Sequence, residues 1–357
     1  MSEILLLVMA AFAVLGAVDR IFGNRFGLGK EFEDGITAMG SLALAMLGII
    51  CLAPVLASLL RPVVVPVFRL LGADPAMFAG SILACDMGGG PLAMELTDDV
   101  QAGLFGGVLC GSMLGATVVF TIPVAMGILK EEDRPFLAKG ILAGVITIPL
   151  GLFVGGLVAG MPLLRILGNL VPIVLIAGLI ALGLWKAETA MIKGFGIFGK
   201  GIIILITLGL GAGIFEAITG MRLILGLAPI EEGFQTVGAI AIVLAGAFPL
   251  VAVLTKVLRK PLLKLGILLG INETAAAGLL ASLANSIATF SLVKDMDDRG
   301  KVVNVAFAVS AAFVFGDHMG FTAGFAPQML PAMIVSKLVG GASAVIVALW
   351  LTKKETA

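Results

Sequence analysis

About eleven stretches of this chain are apolar for the length a helix needs to cross a bilayer, which is about 20 residues. They lie at 3–19, 35–60, 74–96, 102–129, 140–161, 166–185, 201–219, 234–258, 267–291, 302–327 and 331–352. The runs are continuous rather than alternating, so they read as helices and not as strands of a barrel. Hydrocarbon leaves no other backbone arrangement satisfied. The fold class is therefore an all-α polytopic membrane protein with about 11 transmembrane helices, in a range of 10–12. The first run lacks a basic start and a small-residue cleavage site, so it reads as a helix and not a leader.

Composition supports this and removes several functions. Only 13% of residues are charged, about half the share in soluble domains. Net charge is zero, which excludes the basic footprint of a nucleic-acid binder. One histidine and no tyrosine argue against His-based zinc sites and His-dependent hydrolases. Cys51, Cys85 and Cys110 lie in or beside apolar runs and read as buried thiols. No metal or cofactor is expected.

Loop charge gives a provisional orientation. Thirteen Lys and Arg fall around 61–69, 130–139, 186–200, 256–264 and at Lys337; ten fall around 20–30, 165, 222, 294–301 and the C-terminal tail. The cytoplasmic side carries the excess of Lys and Arg. The first set and the N-terminus are thus expected in the cytoplasm.

Shifted by 198 residues, the chain matches itself without a gap. Glu33, Gly35 and Gly40 meet Glu231, Gly233 and Gly238; Arg61 meets Arg259, Asp99 meets Asp297, and Lys139 meets Lys337. Two repeats of about five helices follow. They divide the chain into a first repeat at 1–161, a linker helix with a basic loop at 162–200, and a second repeat at 201–357. Repeats of this kind build secondary transporters, with the substrate site at their interface. The two basic stretches at 61–69 and 256–264 are repeat equivalents. Placing both in the cytoplasm favours parallel repeats.

Ionisable groups deep in apolar runs mark function by default. Asp86 sits near the middle of 74–96, followed by Gly88-Gly89-Gly90-Pro91. Glycines loosen the helix and proline removes a donor. A carboxylate then lies beside the negative end of a broken helix, which suits a cation. Asp317 and His318 lie in a second glycine-flanked segment, and His318 titrates nearest physiological pH. The stretch holding Asn285 and Thr289 begins within a residue of the Asp86 position of the second repeat. Ser112, with Thr117, adds a hydroxyl on a small-residue face. The deepest charges are acids with no deep Lys or Arg expected to face them. The expected ligand is small and cationic, and Phe120, Phe290 and Phe321 could offer ring faces to an ammonium.

Several segments carry a family resemblance. These are Asp34-Gly35-Ile36 through Met39-Gly40-Ser41-Leu42-Ala43, then Leu52-Ala53-Pro54, Gly72-Ala73-Asp74-Pro75-Ala76-Met77-Phe78-Ala79, Asp86-Met87-Gly88-Gly89, and Gly316-Asp317-His318 with Phe321-Thr322-Ala323-Gly324. In this order they resemble the bacterial ethanolamine utilisation permeases over nearly the whole chain. The resemblance implies an inner-membrane carrier that imports ethanolamine, and no enzyme. Protonated ethanolamine would pair its ammonium with Asp86 or Asp317, beside His318. Asn285, Thr289 or Ser112 would hold the hydroxyl. No GxxxxGK[ST] motif is present, so transport is facilitated diffusion or coupled to an ion or proton. Partners are ethanolamine and the lipid bilayer, with a homo-oligomer left open. The rival readings are a cation/proton antiporter on Asp86 and Asp317 and, more remotely, an intramembrane aspartyl protease.

Overall fold

The computed structural model describes residues 2–353, and among them the chain is helical throughout, with no strand. Helix α1 (Ser2–Ile21) ends in a tight reversal, from which α2 (Leu28–Leu70) departs. Asp19 closes the reversal. Its buried carboxylate accepts from the backbone N–H groups of Phe26 (3.0 Å), Leu28 (2.8 Å) and Gly29 (3.0 Å). Those donors would otherwise be orphaned at the start of α2. With 43 residues, α2 is about 64 Å long, well beyond the ~30 Å of a hydrocarbon core.

The run 74–96 does not become one helix. It forms α3 (Ala76–Ile82) and α4 (Gly89–Leu96), each about 11 Å long and so short of a span. The two pack on each other, and Thr97 Oγ1 donates to Asp74 Oδ2 at 2.8 Å. The segment thus enters and leaves at one end of the bundle as a re-entrant hairpin. Its tip is extended at Leu83 and Ala84, then makes a 3₁₀ turn over Cys85–Met87. Gly88 follows with φ 92°, and a Cβ there would overlap Ile49.

Next come α5 (Val100–Leu104), a π-helical stretch from Phe105 to Thr121 interrupted at Ala116, and α6 (Ile122–Ile128). Together they make one buried span, Val100–Ile128. Helices α7 (Arg134–Val145) and α8 (Ile148–Val158) make the following one. Helix α9 (Leu163–Thr219) is two arms. Ala187 is non-helical there, and a Cβ on Gly183 would meet the Met191 sulfur, so the chain turns back on itself. The arms carry the predicted runs 166–185 and 201–219.

Helix α10 (Ile230–Leu269) leads to a second hairpin, α11 (Glu273–Ala284) and α12 (Ser286–Leu292), broken at Asn285. Asn272 ties its two ends: its N–H donates to Asp297 Oδ1 at 2.8 Å and its Nδ2 to the Asp295 carbonyl at 3.0 Å. The run 267–291 therefore also folds back. Helices α13 (Asp298–Ala311) and α14 (Asp317–Phe325) are separated by a break, and α15 (Leu330–Leu351) completes the bundle. Among the described residues seven helices are long and apolar enough to span. The two-armed α9 counts once among the seven, and hydropathy counts a hairpin and a crossing alike, so the number of apolar runs does not fix the number of crossings.

Contacts between loops revise the provisional orientation. Lys301 and the buried Asp133 pair at 2.7 Å, joining stretches 130–139 and 294–301 that loop charge alone put on opposite sides. Asn272, bonded to Asp297, brings the end of α10 to the same place. Lys256 donates to the Phe26 carbonyl at 3.3 Å, so the α1–α2 reversal lies there too. At the other end of α2, Arg61 donates to the Glu95 carbonyl at 2.6 Å and Arg165 pairs with Asp99. Stretches 61–69 and 256–264 thus occupy opposite ends of the bundle. Lys337 belongs to no loop: it is 1% exposed inside α15.

Candidate functional site

The tip of the first hairpin, the π-helical span and the break before α14 converge. Because α3 and α4 each reach only part-way through the bundle, their 3₁₀ turn holds Asp86 at depth. The α13–α14 break is held open by pairing with the end of α11. The N–H groups of Phe313 and Phe315 donate to the carbonyls of Ser282 (3.0 Å) and Leu283 (2.9 Å). Phe313 pays with φ 63°, a left-handed conformation uncommon for a bulky residue. That backbone turns its ring onto His318, with centroids 5.1 Å apart, and Phe120 packs edge-on against Phe313 at 5.5 Å.

These groups enclose a cavity of about 190 Å³, several times the ~30 Å³ share of one water. Its wall is Ser41, Leu42 and Ala45 of α2, Ala84, Asp86 and Met87 of the hairpin tip, Ala116 and Phe120, and Phe313, Asp317 and His318. His318 Nε2 stands 3.7 Å from Asp86 Oδ1, too far for a hydrogen bond. His318 Nδ1 is buried and has no partner. Asp317 also borders a second cavity of about 440 Å³, which reaches Glu31 and Lys256. Two carboxylates, aromatic faces and one hydroxyl around so small a volume suit a compact ammonium ligand. Cys85, Asp86 and His318 place one ligand atom each within 4.8 Å of one another, a set that soft divalent metals accept.

The profile of the family described as "Ethanolamine utilisation protein, EutH" matches residues 1–351. The chain belongs to this family. Similar relatives include the probable ethanolamine permease EutH of Listeria monocytogenes, 60% identical over 353 residues, covering 99% of this chain and 95% of the relative. The proteins of the same name from Escherichia coli and Salmonella typhimurium are 48% and 47% identical over 394 positions, covering 100% of this chain and 97% of each relative. No solved structure matches the chain.

In this family member, Asp86, Asp317 and His318 line one cavity. The other three expected residues do not. Asn285 faces the second cavity, and its Oδ1 accepts from Ile287 N–H as the cap of α12. Thr289 is fully buried and bonded to Ser282 (2.8 Å) and the Gly278 carbonyl (3.0 Å), joining the two arms of its hairpin. The Ser112 hydroxyl donates to the Leu109 carbonyl within its own helix. Of the three rings considered, Phe120 lines the cavity, while Phe290 and Phe321 are buried in the core. Glu216 sits at the surface, paired with Arg222 at 3.1 Å.

Sequence reasoning missed Phe313, Ser41 and Lys337. Phe313 carries no local signal, since its role comes from a backbone break three residues before Gly316. Lys337 did carry one: it is a lone lysine inside an apolar run, buried in α15 although it does not line the cavity of the acids. Its ammonium donates to the Ser112 carbonyl.

Proposed function

We propose that this chain imports ethanolamine, as its protonated ammonium form, across the bacterial inner membrane. The observation that carries this reading is the cavity wall: Asp86 and Asp317 present two carboxylates to a space that no Lys or Arg side chain lines. The names of the relatives agree with it. The ammonium sits between the carboxylates against the faces of Phe120 and Phe313. The two-carbon chain and its hydroxyl extend toward Ser41. The second cavity, which meets Asp317 and reaches the Lys256 end, is the exit.

The same reading takes the 198-residue offset as two inverted repeats, 1–161 and 201–357, joined by the first arm of α9. The support is that the hairpins begin at opposite ends of the bundle, one held at Asp74–Thr97 and the other at Asn272–Asp297. It also takes the Lys256 end as cytoplasmic. The stretches 20–30, 130–139, 186–200, 256–264 and 294–301 with Lys353 carry seventeen Lys and Arg, against Arg61, Arg69, Arg165 and Arg222 at the other end. That margin follows the positive-inside rule far better than thirteen against ten, and it puts the N-terminus outside the cytoplasm.

Uptake of labelled ethanolamine into proteoliposomes tests the proposal, with ethylamine, ethylene glycol and sodium as competitors. Ethylamine keeps the ammonium and ethylene glycol keeps only hydroxyls. Ethylamine should compete and ethylene glycol should not. Equal competition by the diol, or uptake no faster than in protein-free vesicles, would refute the reading. Competition by sodium alone would favour a cation antiporter.

A further inference from the structure

We infer that Cys85, Asp86 and His318 form a Zn²⁺ site at the tip of the first hairpin, and that an ion held there shuts the ammonium out. The block rests on the proposed function; the metal site itself does not. One ligand atom from each residue lies within 4.8 Å of the other two. The spacing of the two cavity-facing groups separates an ion from a hydrogen bond. His318 Nε2 and Asp86 Oδ1 are 3.7 Å apart, beyond the ~3.2 Å reach of a hydrogen bond. Two ligands on one Zn²⁺, each about 2.0–2.1 Å from it at a tetrahedral angle, stand roughly 3.4 Å apart. The pair thus opens at nearly the width of a shared ion. Cys85 precedes Asp86 in the same 3₁₀ turn. A zinc–sulfur bond of ~2.3 Å puts the sulfur roughly 3.6 Å from the other ligands, so it closes by about an ångström at most.

The imidazole is an independent reason. His318 is buried and lines the cavity, its Nδ1 has no partner, and its Nε2 faces Asp86 without bonding to it. A buried imidazole so placed is costly, and an ion on Nε2 satisfies it. Thiolate, imidazole and carboxylate are the donor types that zinc takes, whereas calcium and magnesium take oxygen. Binding releases the Cys85 thiol proton to water. A thiolate, a carboxylate and a neutral imidazole around a divalent ion carry no net charge, the form that a buried site tolerates. Asp317 lines the same cavity, while Lys337 is engaged with the Ser112 carbonyl and does not. The fourth position opens on the cavity of about 190 Å³, where a water of ~30 Å³ fits. The chain's single histidine argues against zinc sites that need several imidazoles; this one needs only one. Because Asp86 also holds the proposed ammonium, metal and substrate exclude each other.

The test uses the purified full chain in detergent with Co²⁺ as a spectroscopic substitute for Zn²⁺, followed by ethanolamine uptake into proteoliposomes at buffered zinc. Cobalt on a thiolate gives a ligand-to-metal charge-transfer band in the near ultraviolet. The wild type should show this band, saturating at one cobalt per chain and abolished by added zinc. The double variant Cys51→Ala with Cys110→Ala, which leaves Cys85 as the sole cysteine, should keep it, and Cys85→Ser should lose it. Zinc should raise the apparent KM for ethanolamine. Cys85→Ser should need at least ~10-fold more zinc for the same inhibition and should match wild-type uptake in chelator. Absence of the band from the double variant, its survival in Cys85→Ser, or equal zinc sensitivity of Cys85→Ser and wild type would each overturn the inference. If Cys85→Ser fails to fold, the double variant decides alone. A cobalt band without saturable ethanolamine uptake in chelator would refute the substrate reading and the block that depends on it, and would leave the metal site standing.

Discussion

Replacing Asp86 with Asn changes one charge and almost no volume, so it isolates the electrostatic part of substrate binding. Asp86 sits at the tip of a hairpin, in a cavity of about 190 Å³. An ammonium about 4 Å from its carboxylate gains about 4 kcal/mol at the effective dielectric of 20 that describes protein sites. At 1.4 kcal/mol per factor of ten, its loss raises the ethanolamine KM by nearly three powers of ten. Asp317 borders the second, larger cavity as well and so meets more water. Asp317→Asn should therefore cost less, about tenfold. The assay is initial-rate uptake over a wide concentration range, with size-exclusion profiles to confirm folding. A KM for Asp86→Asn within threefold of wild type, at normal expression, would show that the carboxylate does not hold the ammonium. Equal losses for the two variants would refute the assignment of the deeper role to Asp86.

Other predictions follow from the packing and the loop placement. Arg222→Cys should react with a membrane-impermeant thiol reagent applied outside intact cells, and Lys260→Cys only after permeabilisation; the reverse pattern would invert the proposed orientation. The three native cysteines are buried and give little background. Asp133→Asn leaves Lys301, whose side chain is 14% exposed, without its partner; the loss should approach 3 kcal/mol and lower the unfolding temperature in detergent, whereas the double change Asp133→Leu with Lys301→Met should recover most of it. Gly80→Ala would drive a Cβ into the Gly106 carbonyl, which is backbone and cannot step aside. A cost of about 1–3 kcal/mol should appear as a lower melting temperature, and an unchanged one would show that the α3–π-helix contact is looser than described.

Much of this molecule was legible in the sequence because lipid leaves few options. Long apolar runs had to be helices, and the Gly-Gly-Gly-Pro after Asp86 had to interrupt one. What the sequence did not disclose was whether an interrupted run crosses or returns. Both have the same hydropathy, and the choice is made by distant bonds such as Thr97 to Asp74 and Asn272 to Asp297. That single ambiguity propagated. With two hairpins read as crossings, loops 130–139 and 294–301 fell on opposite sides, although Asp133 and Lys301 hold each other. The site was half legible for a related reason. Charges in oil announce themselves, so Asp86, Asp317 and His318 stood out. Hydroxyls bond as readily to nearby backbone as to a ligand: Ser112 does so within its own helix and Thr289 across its hairpin to Gly278. Phe313 depends on a tertiary strain that no local pattern encodes.

The sequence distance between Asp86 and His318 also bears on how the molecule is made. The N-terminal hairpin leaves the ribosome long before the imidazole that will stand 3.7 Å from its carboxylate has been synthesised. Neither of its short helices is apolar over enough length to be inserted alone. During biogenesis it must wait, near the translocon or a chaperone, for the last third of the polypeptide to arrive. Truncated chains should accordingly be recognised by quality-control proteases at this hairpin first.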